Sequence, residues 1–331
     1  MNCRRPGSLL ARTIIQKVEN DQFIDDLDMR LWYQLRQSLP DVFQSKFIPL
    51  EKPDDTTVEW LDRAKDNSSN ICLQLWHALA RTLLQLMMTQ TDINGFLKRG
   101  SMFILSENQF IRLLHSGGFR VDAGFEQINI LDIGAGDGEI TVRLANAVST
   151  IGHDAKVQLY ATETSWAMRR RLKKHNITVI DKISDLNNVP LIACLNVLDR
   201  CDDPYDLLHS IYNALAPNGR VIIALVLPYV HYVEFNSTHM PLRPLMSHWP
   251  DRAKQFSYEA EATILFELLE NFGFQIESWT KAPYLSLIIY ITIINRVANI
   301  NKYIYKKMCF HYRRIFFFLL YKESAFKTVP K

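Results

Sequence analysis

The chain has 331 residues and a formal net charge of +3, with 48% apolar and 22% charged residues. Such a length and balance indicate a globular protein of one large or two small domains with a sizeable core. The small net charge speaks against a nucleic-acid-binding protein, and five cysteines without a C-x-x-C pair speak against a structural metal site or a disulfide framework. No apolar run reaches the about 20 residues of a membrane span, and the basic N-terminus has no apolar core of signal-peptide length.

Residues 1–124 are predicted to form a helical extension ahead of the main domain. Apolar residues at three- and four-residue spacing predict a helix over 13–48, which the charged stretch 51–56 ends. Residues 71–89 predict a strongly apolar helix whose Leu and Met face lies in the core, with His77 as a buried core histidine. Two glycines predict a loop over 93–103. Ser106 and Gln109 then form a capping box for a helix through Leu114.

Residues 125–284 alternate between apolar strands and helices, which predicts a mostly parallel sheet with right-handed crossovers. This is the α/β arrangement of Rossmann-like proteins. The strands are predicted over 128–133, 157–162, 177–180, 191–195, 220–227 and 273–280, and the helices over 139–148, 165–174, 204–215 and 257–272.

A glycine-rich motif, D-x-G-x-G-x-G, follows the first of these strands at 132–138. Its glycines let the backbone turn tightly and let a ligand lie against it. A dinucleotide-binding fold prefers G-x-G-x-x-G, which faces a pyrophosphate. S-adenosyl-L-methionine has no phosphate but carries an ammonium group, which suits a carboxylate. We therefore predict that this cofactor binds Asp132, Gly134, Ala135, Gly136 and Gly138.

Two more acids follow neighbouring strands. Glu163 ends the second strand, where an acid can accept hydrogen bonds from both ribose hydroxyls. Asp181 follows the third strand and either faces the adenine or is a plain loop acid.

Asn196 and Asp199 follow the fourth strand. Because ligands of open α/β sheets bind outside the carboxyl ends of the strands, both are predicted to lie where the acceptor approaches the methyl group. Asn196 would also contact the cofactor. An amide and a carboxylate can orient a neutral nitrogen nucleophile and accept its proton. The alternative for Asp199 is a carboxylate that caps the following helix.

Five segments, in this order and spacing, resemble the DREV, or methyltransferase-like 9, family. They are RGSMF at 99–103, LDIGAGDGE at 131–139, YATE at 160–163, CLNVLDRCD at 194–202 and GRVIIALVLP at 219–228. The resemblance runs from about Asp21 to Tyr284. RGSMF and CLNVLDRCD carry most of its specificity, because class I methyltransferases all share the glycine motif.

The resemblance implies a protein-histidine methyltransferase that forms 1-methylhistidine, modified at the pros nitrogen, in His-x-His motifs with a small x. Asp132, Gly134 and Glu163 would bind the cofactor, and Asn196 and Asp199 would hold the substrate imidazole. The partners would be protein substrates, not nucleic acid. We expect a monomer in the cytoplasm, and the resemblance adds association with the endoplasmic reticulum or mitochondria as an alternative.

The RGSMF segment is predicted to close the site and exclude water, as part of the N-terminal extension. The residues expected to form this cap are Arg99, Ser101, Met102 and Phe103.

Residues 285–331 depart from the family. Nine Lys or Arg and one acid give this tail a charge near +8, which leaves the body near −5. The family continues here with an acidic, tyrosine-rich stretch that supplies a substrate-side tyrosine and the last strand. Losing that strand would leave a gap in the sheet. The β-branched segment Leu287–Ile294 is a candidate substitute strand.

Several alternatives stay open at this point. One is a class I methyltransferase with another substrate, and another is a non-catalytic protein that binds the cofactor or a partner, which the altered tail supports. The basic tail also fits a membrane-surface role. A nicotinamide oxidoreductase is disfavoured by the glycine spacing.

Overall fold

The computed structural model describes residues 28–97, 102–121, 127–153, 155–227, 229–233, 239–246, 257–286 and 314–322. Nine strands are present among them: β1 Met102–Phe103, β2 Gln127–Ile133, β3 Lys156–Thr162, β4 Thr178–Ile180, β5 Val189–Leu195, β6 Leu215–Leu227, β7 Phe274–Pro283, β8 Leu285–Ser286 and β9 Arg314–Lys322. The two short strands β1 and β8 pair antiparallel, and the other seven form one sheet.

Helices connect these strands: α1 Asp41–Gln44, α2 Asp55–Ser69, α3 Ile71–Leu84, α4 Gln90–Phe96, α5 Glu107–Ser116, α6 Glu139–Ile151, α7 Trp166–Lys174, α8 Pro204–Ala214 and α9 Tyr258–Asn271. Two 3₁₀ helices lie at Met29–Trp32 and Ile183–Asp185. The predicted capping box of α5 is confirmed, since Ser106 and Gln109 each accept from the other's backbone N–H.

The large sheet has the strand order β4-β3-β2-β5-β6-β9-β7. Strands β2 to β6 are parallel to one another, and β9 is antiparallel to both β6 and β7. The predicted Rossmann-like class I methyltransferase fold, mostly parallel, is confirmed. The division of the chain at 124 and 284 stays a prediction.

Alternate residues of the inner strands pack against two different clusters, one on each face of the sheet. On β5, Leu191 belongs to the cluster that holds α5 and α6, whereas Ile192 belongs to the cluster that holds α8 and α9. Burial on both faces explains why these strands are nearly continuous apolar runs.

The tail supplies the missing strand, but from a different segment than the sequence indicated. Arg314–Lys322 lies between β6 and β7, with Phe317 opposite Ala224 on one side and Thr280 on the other. The candidate Leu287–Ile294 lies outside the described residues, and β9 occupies the position between β6 and β7. Leu319 and Leu320 are fully buried, one in each of the two clusters.

The prediction of one helix over 13–48 is wrong for its described part, 28–48. That part holds only the 3₁₀ helix and α1, because Pro40 lacks an N–H and disfavours helical backbone at Leu39. The chain here pairs instead with the edge strand β7: the N–H of Ile48 donates to the carbonyl of Trp279 at 2.8 Å, and the N–H of Trp279 donates to Lys46 at 3.0 Å. This contact covers the edge of the sheet.

Two other N-terminal predictions need correction. Helix α3 was expected to bury its Leu and Met face, yet Trp76, Leu79 and Leu83 are more than half exposed, although His77 is buried. Residues 93–96 are helical within α4 rather than a loop. Helix α4 packs closely on α7 at Gly95, since a Cβ at this position would lie only 3.0 Å from the Met168 sulfur. This close packing suits a glycine in the helix.

Within the described residues, no helix is both long and apolar enough to cross a bilayer. The same residues contain no group of three or more His, Cys, Asp or Glu side chains suited to a metal ion.

Candidate functional site

The glycine loop between β2 and α6 lies beside the end of β3. The N–H groups of Gly134 and Ala135 donate to the Thr162 carbonyl at 2.9 and 3.2 Å. All three motif glycines have left-handed backbone, with φ of 67° at Gly134, 58° at Gly136 and 86° at Gly138. A Cβ on Gly136 would meet no atom within 4 Å, so this backbone borders open space that a ligand can fill.

Asp132 is only 2% exposed at the base of this loop. Its Oδ2 accepts a hydrogen bond from Thr141 Oγ1 at 2.5 Å. Burial raises the pKa of Asp132 to about 7, the Thr141 hydrogen bond opposes the rise, and the nearby Glu163 carboxylate adds to it. A cationic group at this point would favour the ionised carboxylate.

Glu163 holds the glycine loop against the end of β3. Its two carboxylate oxygens accept hydrogen bonds from the N–H groups of Gly136 and Ser165, at 2.9 and 2.8 Å. Burial raises its pKa, and these hydrogen bonds oppose the rise. Each carboxylate oxygen keeps acceptor capacity for a ribose hydroxyl, so the predicted ribose contact is compatible with this geometry and stays a prediction.

Asp181 follows β4, is exposed, and forms an ion pair with Arg169 of α7. This pairing is a surface contact of little energetic weight. The predicted contact of Asp181 with adenine stays a prediction.

Asn196, the residue after β5, has left-handed backbone with φ of 62°. Its side-chain amide lies 3.3 Å from the hydroxyl of Tyr284. With oxygen Oδ1 on this side, the amide accepts from Nε and Nη2 of Arg200 at 3.2 and 3.0 Å, as a guanidinium that only donates requires. Arg200 therefore fixes the orientation of the Asn196 amide.

Asp199 is 7% exposed, in the same loop after β5. Its Oδ2 lies 4.0 Å from Arg200 Nε, and its main-chain carbonyl accepts from the N–H of Tyr232 at 2.9 Å. The helix α8 is capped by Asp203, which accepts from the N–H groups of Tyr205 and Asp206. The alternative role of Asp199 as the cap of this helix is therefore excluded.

The glycine loop, where the cofactor is expected, is in contact with the loop after β5, where the acceptor is expected. A Cβ on Gly134 would lie 2.8 Å from Cγ2 of Val197, the residue after Asn196. The loop that carries Asn196 and Asp199 thus packs directly on the glycine loop.

The predicted cap is described only in part. Arg99 and Ser101 lie outside the described residues. Met102 and Phe103 form β1, which pairs with Leu285 and Ser286 of β8. Phe103 is buried, and the guanidinium of Arg143 on α6 stacks on its ring at 4.7 Å. The cap segment is thereby tied to the helix that follows the glycine loop.

Sequence reasoning missed Tyr284 and Arg200 as members of this cluster. The Tyr284 hydroxyl donates to the Met102 sulfur at 3.0 Å and accepts from Arg200 Nη2 at 3.4 Å. Arg200 stands inside CLNVLDRCD, one of the segments that carry the family resemblance, and Tyr284 ends the range over which the resemblance runs.

The residues at the glycine loop fit S-adenosyl-L-methionine. The open space over Gly136 leaves room against the backbone, Asp132 provides a buried carboxylate for the ammonium group, and Glu163 provides oxygens for the ribose. These three positions would hold the cofactor.

We expect S-adenosylhomocysteine, which keeps the ammonium group, to bind more tightly as the pH rises from about 6 to about 8. Asp132 loses its proton over this interval, because its pKa is about 7, and only the ionised form attracts the cation. Affinity should rise by up to about tenfold per pH unit below this pKa and level off above it. Calorimetry at several pH values measures the effect. Asp132→Asn should bind weakly with a flat profile, whereas Asp185→Asn, at an exposed carboxylate, should keep the profile; a flat wild-type profile would contradict the assignment.

The model of the family described as DREV methyltransferase matches residues 32–287 of the chain. Among solved structures, the chain is similar to the DszA carbon methyltransferase, with 17% identity over 84% of this chain and 75% of that chain and a TM-score of 0.42. It is also similar to a TehB-like SAM-dependent methyltransferase from Corynebacterium glutamicum, with 13% identity over 66% of this chain and 89% of that chain and a TM-score of 0.35. The family match covers most of the chain, and the protein is therefore an S-adenosyl-L-methionine-dependent methyltransferase that belongs to the DREV family.

Proposed function

We propose that this methyltransferase acts on proteins and methylates the pros nitrogen of histidine in His-x-His motifs with a small x. The observation that carries the proposal is the buried carboxylate of Asp199 beside the fixed amide of Asn196, in a loop that contacts the glycine loop. The resemblance of CLNVLDRCD and RGSMF to the family supports the same substrate class.

An imidazole acceptor suits this arrangement chemically. A neutral imidazole has one N–H donor and one nitrogen lone pair. When the Asp199 carboxylate accepts the N–H, the ring is held in one tautomer and the other nitrogen becomes more basic. The carboxylate thus both orients the ring and selects which nitrogen attacks.

The bound cofactor supplies an electrophilic methyl group on a sulfonium. On transfer of that methyl group to the ring nitrogen, the sulfur would keep the electron pair of the broken C–S bond and would leave as a neutral thioether. The methylated ring then carries a positive charge, and its N–H proton passes to the Asp199 carboxylate. Arg200 holds the Asn196 amide in place, so this polar group beside the ring is preorganised.

The test is methylation of a peptide that contains Ala-His-Ala-His by the purified protein, followed by mass spectrometry and separation of the two methylhistidine isomers. We expect one isomer, 1-methylhistidine. Matched peptides with Ala-Gln-Ala-Gln and with Leu-His-Leu-His replace the acceptor or the small flanking residue, and should gain no methyl group or far less. No methyl gain on the first peptide, with cofactor bound, would refute histidine as the acceptor. Formation of the other isomer would refute the pros assignment.

A further inference from the structure

The segment after β6, residues 229–233, lies against the loop that carries Asp199. The N–H of Tyr232 donates to the Asp199 carbonyl at 2.9 Å. Tyr229 is fully buried, and its N–H donates to Oε2 of Glu261 at 2.9 Å. The residue between these two anchors is therefore held at the acceptor side of the site.

His231 occupies that place and is only 8% exposed. Its Nδ1 lies 2.9 Å from the Tyr229 hydroxyl, and the two rings meet edge to face with centroids 4.5 Å apart. Its other nitrogen, Nε2, is buried and has no hydrogen-bond partner among the described residues. Buried polar atoms rarely lack a hydrogen-bond partner, so the buried Nε2 points to a contact with a ligand.

The surroundings determine which nitrogen carries the proton. Burial raises the pKa of Tyr229 well above its usual range, so its hydroxyl keeps its proton, and burial lowers the pKa of His231, so its ring is neutral. The protonated Tyr229 hydroxyl, 2.9 Å from Nδ1, is placed to donate its O–H to that nitrogen. A neutral His231 then carries its hydrogen on Nε2, as a buried N–H donor.

We propose that Nε2–H of His231 donates a hydrogen bond to a main-chain carbonyl oxygen of the protein substrate, next to the methyl-acceptor histidine. This inference rests on the proposed function, because it takes a protein as the substrate. A donor needs an acceptor, and a bound peptide offers one carbonyl at every residue. An anionic side chain fits poorly here, since Asp199 lies close to this segment.

The test compares His231→Leu with His231→Gln in steady-state methylation of the Ala-His-Ala-His peptide. Leu keeps the volume and removes the donor, whereas the amide of Gln can place an N–H near the position of Nε2. We expect His231→Leu to raise KM for the peptide about tenfold and to leave kcat within about twofold. The dissociation constant of S-adenosylhomocysteine should not change. His231→Gln should recover most of the loss in KM.

A spectroscopic readout on the wild-type protein covers the case in which His231→Leu does not fold. With ¹⁵N-labelled histidine and S-adenosylhomocysteine bound, addition of the peptide should shift the Hε2 resonance of His231 downfield. A purely packing role would leave that resonance in place.

The two failures can be told apart. If the wild-type protein methylates no histidine peptide, the proposed function is overturned and this inference with it. If the wild-type protein methylates the peptide while His231→Leu folds and keeps its KM, only the role of His231 is overturned. An unmoved Hε2 resonance on peptide binding overturns it as well.

Discussion

Replacing Asp199 by asparagine is expected to lower kcat for methylation of the Ala-His-Ala-His peptide by about 10²- to 10⁴-fold. The asparagine amide has nearly the same shape as the carboxylate, so a side chain that is 7% exposed keeps its packing. What changes is chemistry: an amide carries no negative charge, cannot take up the proton, and can present an N–H to the ring. The fold and the affinity for S-adenosylhomocysteine should stay close to those of the wild-type protein.

Asp202 provides the matched control for this prediction. It lies three residues further along the same loop and is exposed, and Asp202→Asn removes the same charge from that loop. Its expected kcat lies within about twofold of the wild-type value, because an exposed carboxylate affects a distant reaction only through screened charge. The proposed role of Asp199 is wrong if both asparagine variants turn over at the wild-type rate. If both lose activity equally, the loss comes from the charge of the loop and not from a specific role of Asp199.

The central strands and the glycine loop could be predicted closely from the sequence. Strand β2 was expected over 128–133 and spans Gln127–Ile133, and β3 was expected over 157–162 and spans Lys156–Thr162. Strand β2 is a largely buried apolar run that ends at the glycine motif, so local pattern and tertiary environment agree there. Strand β3 is only half-buried, and its alternating apolar residues still mark it as a strand. The positions of Asp132, Glu163 and Asn196 follow from the same rule, since parallel strands bring their carboxyl ends together.

The N-terminal extension could be predicted less well, because its packing overrides its pattern. The apolar spacing over residues 28–48 suits one long helix, yet these residues lie beside β7 and bury Trp32 and Phe43 in two separate one-turn helices. Helix α3 shows the reverse case, an apolar helix with an exposed face. Apolar spacing alone predicts neither the loss of the helix over 28–48 nor the exposed face of α3, since it does not show which surface a segment packs against.

The acceptor side of the site depends on contacts that are distant in sequence. Tyr284 reaches Met102 because β8 pairs with β1, and it reaches Asn196 and Arg200 across the carboxyl end of the sheet. Only the three-dimensional pairing of these segments joins them. The segments that carry the family resemblance include those of Met102 and Arg200, but they could not show that these side chains meet at the Tyr284 hydroxyl.

The tail carries two segments that suit a strand buried on both faces, 287–294 and 315–321, and composition cannot decide between them. The structure selects the second, which begins opposite Pro283, at the end of β7. An altered tail was the main support for a non-catalytic protein. A complete seven-stranded sheet removes that support.

Replacing either buried leucine of β9 is expected to lower the free energy of unfolding by about 2–5 kcal/mol, the usual cost of Leu→Ala in a packed core. Leu319 and Leu320 face opposite sides of the sheet and lie in different clusters, so each variant tests one face. Chemical denaturation followed by circular dichroism measures the change. In Tyr321→Phe, the ring stays and only a hydrogen bond to the exposed Asn218 is lost, so we expect a change of about 0.5 kcal/mol or less.

A substitution outside the tail gives an independent test of the position of β9 in the sheet. A Cβ added at Gly117, at the end of α5, would overlap Cδ2 of Leu319, so Gly117→Ala should also destabilise the protein. In the Leu319→Ala background the overlap with Leu319 is relieved and only the contact with Ser278 Oγ, at 2.8 Å, remains, so the second substitution should cost less than it does alone. Non-additivity of this sign requires that β9 lies in the sheet beside α5. Wild-type stability in both leucine variants, with additive effects at Gly117, would mean that the tail does not supply the last strand and that the sheet is completed in another way.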